Sequence, residues 1–180
     1  MTQHAPVLIV LLPLTASLLC MLFSRISKFL GSWIVMASIA GAFANACIVL
    51  QRVLESGGKT WHYWMGGWEP PIGIEFALDP LNSILAVVVT FISLMVSLYS
   101  RPFVKDEDWL HVGGYYTLFG LLTVGLSGMI ITGDVFNLYV YLEIMSLSGY
   151  GLIALGGRKS MLAAFRYLLI GTIGASLYLL

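Results

Sequence analysis

Charged residues are scarce in this sequence. Asp, Glu, Lys and Arg together make up 10% of the 180 residues, whereas a soluble domain carries about 25%. The formal net charge is zero, so no excess of basic residues is available to bind nucleic acid. Hydrophobic residues make up 59%, and the mean hydropathy is +0.92. This composition excludes a soluble domain and predicts an integral membrane protein.

Cysteine is also scarce, and Cys20 and Cys47 are the only two in the chain. They fall near opposite ends of two neighbouring apolar segments. A helical rise of about 1.5 Å per residue separates them by more than the roughly 4.4–6.8 Å between the Cα atoms of a disulfide. We therefore expect two packing residues and no disulfide.

Motifs of enzyme active sites are missing. The sequence has no phosphate-binding loop, no dinucleotide-binding fingerprint and no pair of histidine or cysteine ligands at helical spacing. The segment Met145–Gly149 carries two serines but lacks the leading glycine of a serine-nucleophile turn. We expect no catalytic site, cofactor or metal in this chain.

Long apolar runs are what the sequence does contain. Each is close to the roughly 20 residues that a helix needs to cross the bilayer, and backbone groups in lipid must be hydrogen-bonded within the segment. The predicted fold is all-α, a polytopic helical membrane protein with one domain over 1–180 and a loop at 51–80. About six transmembrane helices are predicted, at about 6–23, 31–50, 81–99, 115–132, 135–155 and 160–180.

The loop at 51–80 has a pattern of its own. Apolar and other residues alternate from Ile72 to Leu78, which is the period of a β-strand. Gly66-Gly67 and Pro70-Pro71 supply a reversal before it. We predict a β-hairpin lying flat on the outer membrane surface, anchored there by Trp61, Trp64 and Trp68.

Several polar residues have structural explanations. Asp79 precedes Pro80 and Asp134 follows a Thr-Gly turn, so both are predicted as N-caps of helices. His62 with Glu69 or Glu75 is a conceivable metal site. Interfacial aromatic residues and solvated carboxylates explain the same residues more simply.

Basic residues are unequally divided between the two ends of the predicted helices. One end has only Arg52 and Lys59. By the positive-inside rule the richer end is cytoplasmic, so we predict a multi-pass protein of the inner (plasma) membrane with its N-terminus outside. The basic residues of the predicted cytoplasmic end are Arg25, Lys28, Arg101, Lys105, Arg158 and Lys159.

Glu143 lies inside a predicted transmembrane helix. It follows the Asp134 cap by nine residues, which places it about 13 Å deep, near the bilayer midplane. A charge there costs about 2.5 kcal/mol or more, so a function is the default hypothesis. Tyr139, Ser146 and Tyr150 share its helical face. Such a stripe suits a proton relay, and it also suits a buried network of interhelical hydrogen bonds.

Arg166 is the second ionisable residue inside a predicted helix. It lies about 9 Å from the predicted cytoplasmic end, and its long side chain could extend to that surface. The other interpretation is a fixed charge that modulates Glu143.

Three segments resemble a known family. Gly66–Ile74, followed by Asp79-Pro-Leu81, is similar to the hairpin and third helix of the D subunit of multisubunit cation/proton (Mrp) antiporters. The run Asp134–Glu143 resembles the fifth-helix signature of that family, and Ala163–Leu168 its sixth helix. The wider superfamily includes the antiporter-like subunits of respiratory complex I and of membrane-bound hydrogenases.

The resemblance implies a fold of fourteen helices with two inverted five-helix repeats, of which this chain would be the N-terminal part. It implies that Glu143 is the essential glutamate of the family and that Arg166 stands where lysine is commoner. Leu162 departs from the pattern, at a position that is often acidic. The broken seventh helix, whose lysine partners the glutamate, would follow Leu180.

We therefore predict a proton-translocating antiporter-like subunit of a cation/proton antiporter or of a redox-driven pump of the complex I or hydrogenase type. Protons would transfer through Glu143, Tyr139, Ser146 and Tyr150, with Arg166 modulating the charge. The expected partners are other membrane subunits, the lipid bilayer, protons and, as a second candidate ion, sodium. The alternatives are a scaffold subunit in which Glu143 only ties helices together, and a self-contained small transporter.

Overall fold

The computed structural model describes residues 2–68, 72–104 and 106–179. A short 3-10 turn at Thr2–His4 leads into the helical part, and the predicted helical membrane fold with one hairpin is confirmed. The helices are α1 (Ala5–Ser24), α2 (Lys28–Glu55), α3 (Pro80–Val104), α4 (Trp109–Ile131), α5 (Val135–Ala154) and α6 (Arg158–Leu179). The strands β1 (Trp61–Trp64) and β2 (Glu75–Leu78) lie between α2 and α3.

Five of these helices are long and apolar enough to cross a membrane, and α5 is the exception. It is 20 residues long, but Asn137, Glu143 and several hydroxyl groups lower its hydropathy. Other helices extend past the apolar runs of the sequence: α2 continues through Gln51 and Arg52, and α3 through Arg101. Helical hydrogen bonding continues into the polar region at the membrane surface, whereas an apolar run marks only the part that faces hydrocarbon.

Helix α4 lies at the centre of the bundle, where it contacts α1, α2, α3, α5 and β2. Its glycines allow the close approaches. A Cβ at Gly113 would lie 2.9 Å from the Ser24 side chain, and one at Gly120 would collide with Ser17, so α1 runs antiparallel against one face of α4. Because lipid gives helices no hydrophobic reason to associate, such close backbone packing is a main source of their affinity.

Helix α3 buries a stripe of small residues and exposes its large apolar residues. The Thr90 hydroxyl donates to the Ala86 carbonyl at 2.7 Å, and the Ser97 hydroxyl to the Leu94 carbonyl at 2.8 Å. The Tyr116 hydroxyl of α4 donates to the Ser97 carbonyl at 3.3 Å. We call this stripe the α3 seam, and its residues are Ser83, Ala86, Thr90, Ser93, Ser97 and Ser100.

The predicted β-hairpin is confirmed and closes one end of the bundle. Strands β1 and β2 are antiparallel, with Trp61 opposite Leu78 and Trp64 opposite Glu75. The predicted alternation holds within β2, where Phe76 and Leu78 are buried in the core. It does not extend upstream, since Ile72 is 81% exposed and precedes the strand.

The three tryptophans predicted as anchors have different environments. Trp61 packs against the core cluster, whereas Trp64 and Trp68 are exposed. The predicted Pro70-Pro71 reversal and Glu69 lie outside the described residues, as does Lys105. Within the hairpin, His62 Nδ1 contacts the Glu75 carboxylate.

Both predicted N-caps are confirmed. Asp79 Oδ1 accepts a hydrogen bond from the Asn82 amide at 2.6 Å, and Asp134 Oδ1 accepts one from the Phe136 amide at 2.9 Å. Each satisfies an amide of the first helical turn that has no partner within the helix. Cys20 is buried, as expected of a packing residue, whereas Cys47 is exposed and does not match that prediction.

Candidate proton-transfer site

Helix α5 is oriented by its contact with α4. A Cβ at Gly125 of α4 would lie 2.7 Å from Met145, and one at Gly128 would collide with the Tyr141 ring. Asn137 and Ser148 are buried on the same side of α5 as Tyr141. Because these contacts leave α5 little freedom to rotate, they also determine where its other faces point.

The predicted polar stripe lies on another face of α5. Glu143 is two residues from Tyr141, which is a rotation of about 200° around the helix. Tyr139, Glu143 and Ser146 are half-buried, and Tyr150 is 5% exposed. Tyr139 lies one helical turn before Glu143 on this face. The predicted stripe thus forms one continuous face that turns away from α4.

The stripe ends at a close contact between α5 and α6. Gly171 of α6 leaves space for the Tyr150 hydroxyl, because a Cβ at this position would collide with it. The ring of Tyr167 packs edge-on against Tyr150, with the ring centroids 4.7 Å apart. Ala175, one turn after Gly171, is also buried. This contact fixes the register of α6 against α5.

The start of α5 is tied to the hairpin. The Gly133 amide donates to the Glu75 carbonyl at 2.9 Å, and Asn137 Nδ2 donates to Thr132 Oγ1 at 3.1 Å. The depth of Glu143 below the hairpin is therefore set by a continuous hydrogen-bonded connection. The sequence analysis did not identify Asn137 as a residue that positions the site. An amide inside an otherwise apolar segment was the signal for it, since such groups form interhelical hydrogen bonds in membranes.

Arg166 is exposed on α6 and is not brought to Glu143. Since Tyr150 lies level with Tyr167 and Gly171, the positions of Arg166 and Glu143 along the helix axes differ by roughly 15 Å. Modulation of Glu143 by Arg166 stays a prediction.

The described part of the chain contains no group of three or more His, Cys, Asp or Glu side chains that could hold a metal ion. The α5 stripe itself offers a carboxyl group and three hydroxyl groups. Each of these groups can both donate and accept a hydrogen bond when protonated.

Comparisons with known proteins agree with this arrangement. A protein-family model described as NADH-Ubiquinone oxidoreductase (complex I), chain 5 N-terminus, matches residues 64–111. The N subunit of the NADH-quinone oxidoreductase of Desulforudis audaxviator is 44% identical over 180 residues, which cover 100% of this chain and 36% of that relative. The D subunit of the Na(+)/H(+) antiporter of Bacillus subtilis is 31% identical over 175 residues, 97% of this chain and 34% of that relative.

Two solved structures share the fold. A chain of the membrane-bound sulfane sulfur reductase, an archaeal respiratory membrane complex, superposes with a TM-score of 0.87 and 30% identity, covering 97% of this chain and 35% of that chain. A chain of the Mrp complex from Dietzia sp. superposes with a TM-score of 0.80 and 24% identity, covering 97% and 32%. The chain spans about a third of the length of these relatives. The predicted resemblance to antiporter-like subunits is confirmed.

Proposed function

We propose that this chain, a homologue of an antiporter D subunit and of an NADH-quinone oxidoreductase N subunit, forms part of a proton pathway in which Glu143 exchanges the proton. The observation that supports this most directly is the placement of Glu143. It is half-buried in the middle of α5, with Tyr139, Ser146 and Tyr150 following the same face.

Placing Glu143 in the bilayer costs free energy that its contribution to packing does not explain. A carboxylate deep in the bilayer costs about 2.5 kcal/mol or more. The contacts that hold α5 to α4 are made by Tyr141 and Met145 on a different face, so Glu143 is not needed for them. A carboxyl group flanked by hydroxyls can accept a proton from one side and release it to the other.

The stripe covers part of the distance that a proton must travel. From Tyr139 to Tyr150 it is about 16 Å long, roughly half of the 30 Å hydrocarbon core. The remainder of the path would be supplied by ordered water, by other parts of a longer subunit or by neighbouring membrane subunits. We propose that the hairpin end faces outside and that the chain functions within a multisubunit membrane complex.

Of the two kinds of complex, a redox-driven proton pump is favoured by the sequence identity. The chain is 44% identical to the oxidoreductase relative and 31% identical to the antiporter relative. Native purification followed by identification of co-purifying subunits would test this choice. Redox subunits are expected, whereas small membrane subunits alone would indicate a cation/proton antiporter.

The role of Glu143 is tested by Glu143→Gln in the native complex. The amide keeps the size and hydrogen-bonding capacity of the side chain but cannot exchange a proton, so we expect normal assembly and loss of proton transport. Transport is measured in inside-out vesicles with a pH-sensitive dye, and assembly by the subunit composition of the purified complex.

Two control variants accompany this test. Glu107→Gln removes a carboxylate from the exposed α3–α4 loop and should leave transport unchanged. Glu143→Asp keeps an exchangeable proton on a shorter side chain and should retain part of the rate. Wild-type transport by Glu143→Gln would instead support a scaffold role in which Glu143 only ties helices together.

A further inference from the structure

The basic residues at the hairpin end of the bundle are few and lie together. Arg52, near the end of α2, and Lys59, just before β1, are the described basic side chains of this end. The other end has Arg25, Arg101, Arg158 and Lys159, which are placed at the ends of α1 and α3 and at the start of α6. Basic residues that only anchor a protein are expected to be distributed around its perimeter. Here both belong to one site.

Arg52 and Lys59 line the same cavity, which has a volume of about 310 Å³. The guanidinium carbon of Arg52 lies 5.0 Å from the centroid of the Trp61 ring. Gly57 and Gly58 have positive φ angles of 74° and 80°, which reverse the chain after α2 and bring Lys59 back beside Arg52. The cavity is completed by Val53, Ser56 and Thr60.

The surroundings of this cavity match the headgroup region of a membrane. It lies at the end of an apolar helix and beside a tryptophan, a residue enriched where hydrocarbon meets water. Gly58 approaches Pro80 at the start of α3, where an added Cβ would lie 3.5 Å from its ring. Leu54 is 58% exposed and Leu81 is 64% exposed, so both helices carry exposed apolar residues at this end of the bundle.

We propose that this cavity binds the phosphate of an anionic phospholipid whose acyl chains extend into the bilayer. Arginine and lysine are the side chains that pair best with phosphate oxygens, and the Thr60 hydroxyl can donate a further hydrogen bond. The nearby Glu55 carboxylate accepts a hydrogen bond from Gln51 Nε2 at 2.8 Å, which holds it one turn back along α2. The site is separate from the α5 stripe and does not rest on the proposed proton pathway.

The test uses the native complex reconstituted in phosphatidylcholine nanodiscs with and without phosphatidylglycerol. Lipids retained after transfer to detergent are identified by native mass spectrometry. The wild type should retain phosphatidylglycerol at this chain, and Arg52→Gln/Lys59→Gln should reduce its occupancy at least tenfold. The matched control Arg158→Gln/Lys159→Gln removes the same charge from the opposite end and should retain the lipid.

Two further arms make the assignment specific. Lys59→Gln leaves the contact between Arg52 and Trp61 in place, so the hairpin keeps its support while phosphatidylglycerol occupancy falls by a smaller factor. Excess inorganic phosphate should not displace the lipid. Displacement by phosphate would overturn the proposal in favour of a soluble anion. Equal retention of phosphatidylglycerol by both double variants, or loss of a partner subunit with unchanged lipid, would also overturn it.

Discussion

Helices α3 and α5 each carry a polar stripe, and the two stripes differ in the groups that they contain. In the α3 seam, the Thr90, Ser97 and Ser100 hydroxyls donate to carbonyls of their own helix, whereas the buried Ser83 hydroxyl has no hydrogen-bond partner among the described residues. On α5, the stripe contains an ionisable group, and Glu143 stays half-buried. In a membrane helix, a hydroxyl bonded to its own backbone indicates packing, whereas a carboxylate away from the packing face indicates chemistry.

Apart from changes to Glu143 itself, the largest effect is expected where the α5 stripe meets α6. Gly171→Ala would place a methyl group against the Tyr150 hydroxyl and displace it. If that hydroxyl passes protons, the proton transport rate should fall by about 100-fold, within the range that positioned proton donors contribute. Transport is measured in vesicles containing the intact complex.

Adding Tyr150→Phe to Gly171→Ala separates packing from proton transfer. The second change removes the hydroxyl oxygen, the nearest atom that the new methyl group meets, and leaves the ring carbon Cζ 2.8 Å away. Part of the thermal stability lost in the single variant should therefore return. Transport should stay low because the hydroxyl is gone. Recovery of transport in the double variant would contradict a relay role for Tyr150.

The second effect concerns the contact that orients α5. Gly128→Ala would push a methyl group into the Tyr141 ring, and overpacking of this kind costs about 1–3 kcal/mol. Gly149→Ala is the matched control, because nothing lies within 4 Å of the added Cβ. Thermal unfolding of the purified complex should show a lower midpoint for the first variant and an unchanged or higher midpoint for the second.

A third pair of variants tests the comparison of the two stripes directly. Ser97→Ala removes a hydroxyl bonded to its own helix, which should cost about 1 kcal/mol or less and leave transport unchanged. Ser146→Ala, on the Glu143 face, should lower transport several-fold with no greater loss of stability. Equal transport rates of the two variants would contradict the assignment of the α3 seam to packing and of the α5 stripe to proton transport.

The smallest effect is expected at Arg166. The roughly 15 Å between its level and that of Glu143 leaves extension to the membrane surface as its simplest role, and both arginine and lysine can reach that surface. Arg166→Lys should therefore transport protons at the wild-type rate. A strong loss in this variant would point to a specific contact of the guanidinium group that lysine cannot replace.

The sequence was sufficient for features that depend on local rules. Helix caps at Asp79 and Asp134, the hairpin, and the single face shared by Tyr139, Glu143 and Tyr150 all follow from backbone hydrogen bonding and fixed periodicities. The structure has each of them. Even the exposure of Ile72 has a local explanation, because the strand pairing begins only at Glu75.

The remaining features depend on contacts between distant segments. Nothing local to Gly128 or Gly171 indicates which aromatic residue each will accommodate, since that choice is made by the partner helix. The level of Arg166 relative to Glu143 follows from the contact of Tyr150 with Gly171, so it could not be read from either helix alone. The central position of α4 is likewise a result of several glycine contacts acting together.

The modest hydropathy of α5 has a consequence for how the protein is made. Each Leu, Ile, Phe or Val favours insertion of a helix into the bilayer by about 0.3–0.6 kcal/mol, and a single charged residue near the centre opposes it by about 2.5–3.5 kcal/mol. With Asn137 and Glu143 in its sequence, α5 alone therefore has an insertion free energy close to zero during synthesis. Helix α4 leaves the ribosome before α5 and packs against it at Gly125 and Gly128. These contacts can stabilise α5 in the membrane as it inserts. Insertion of Glu143 into the bilayer then depends on α4 and α5 together.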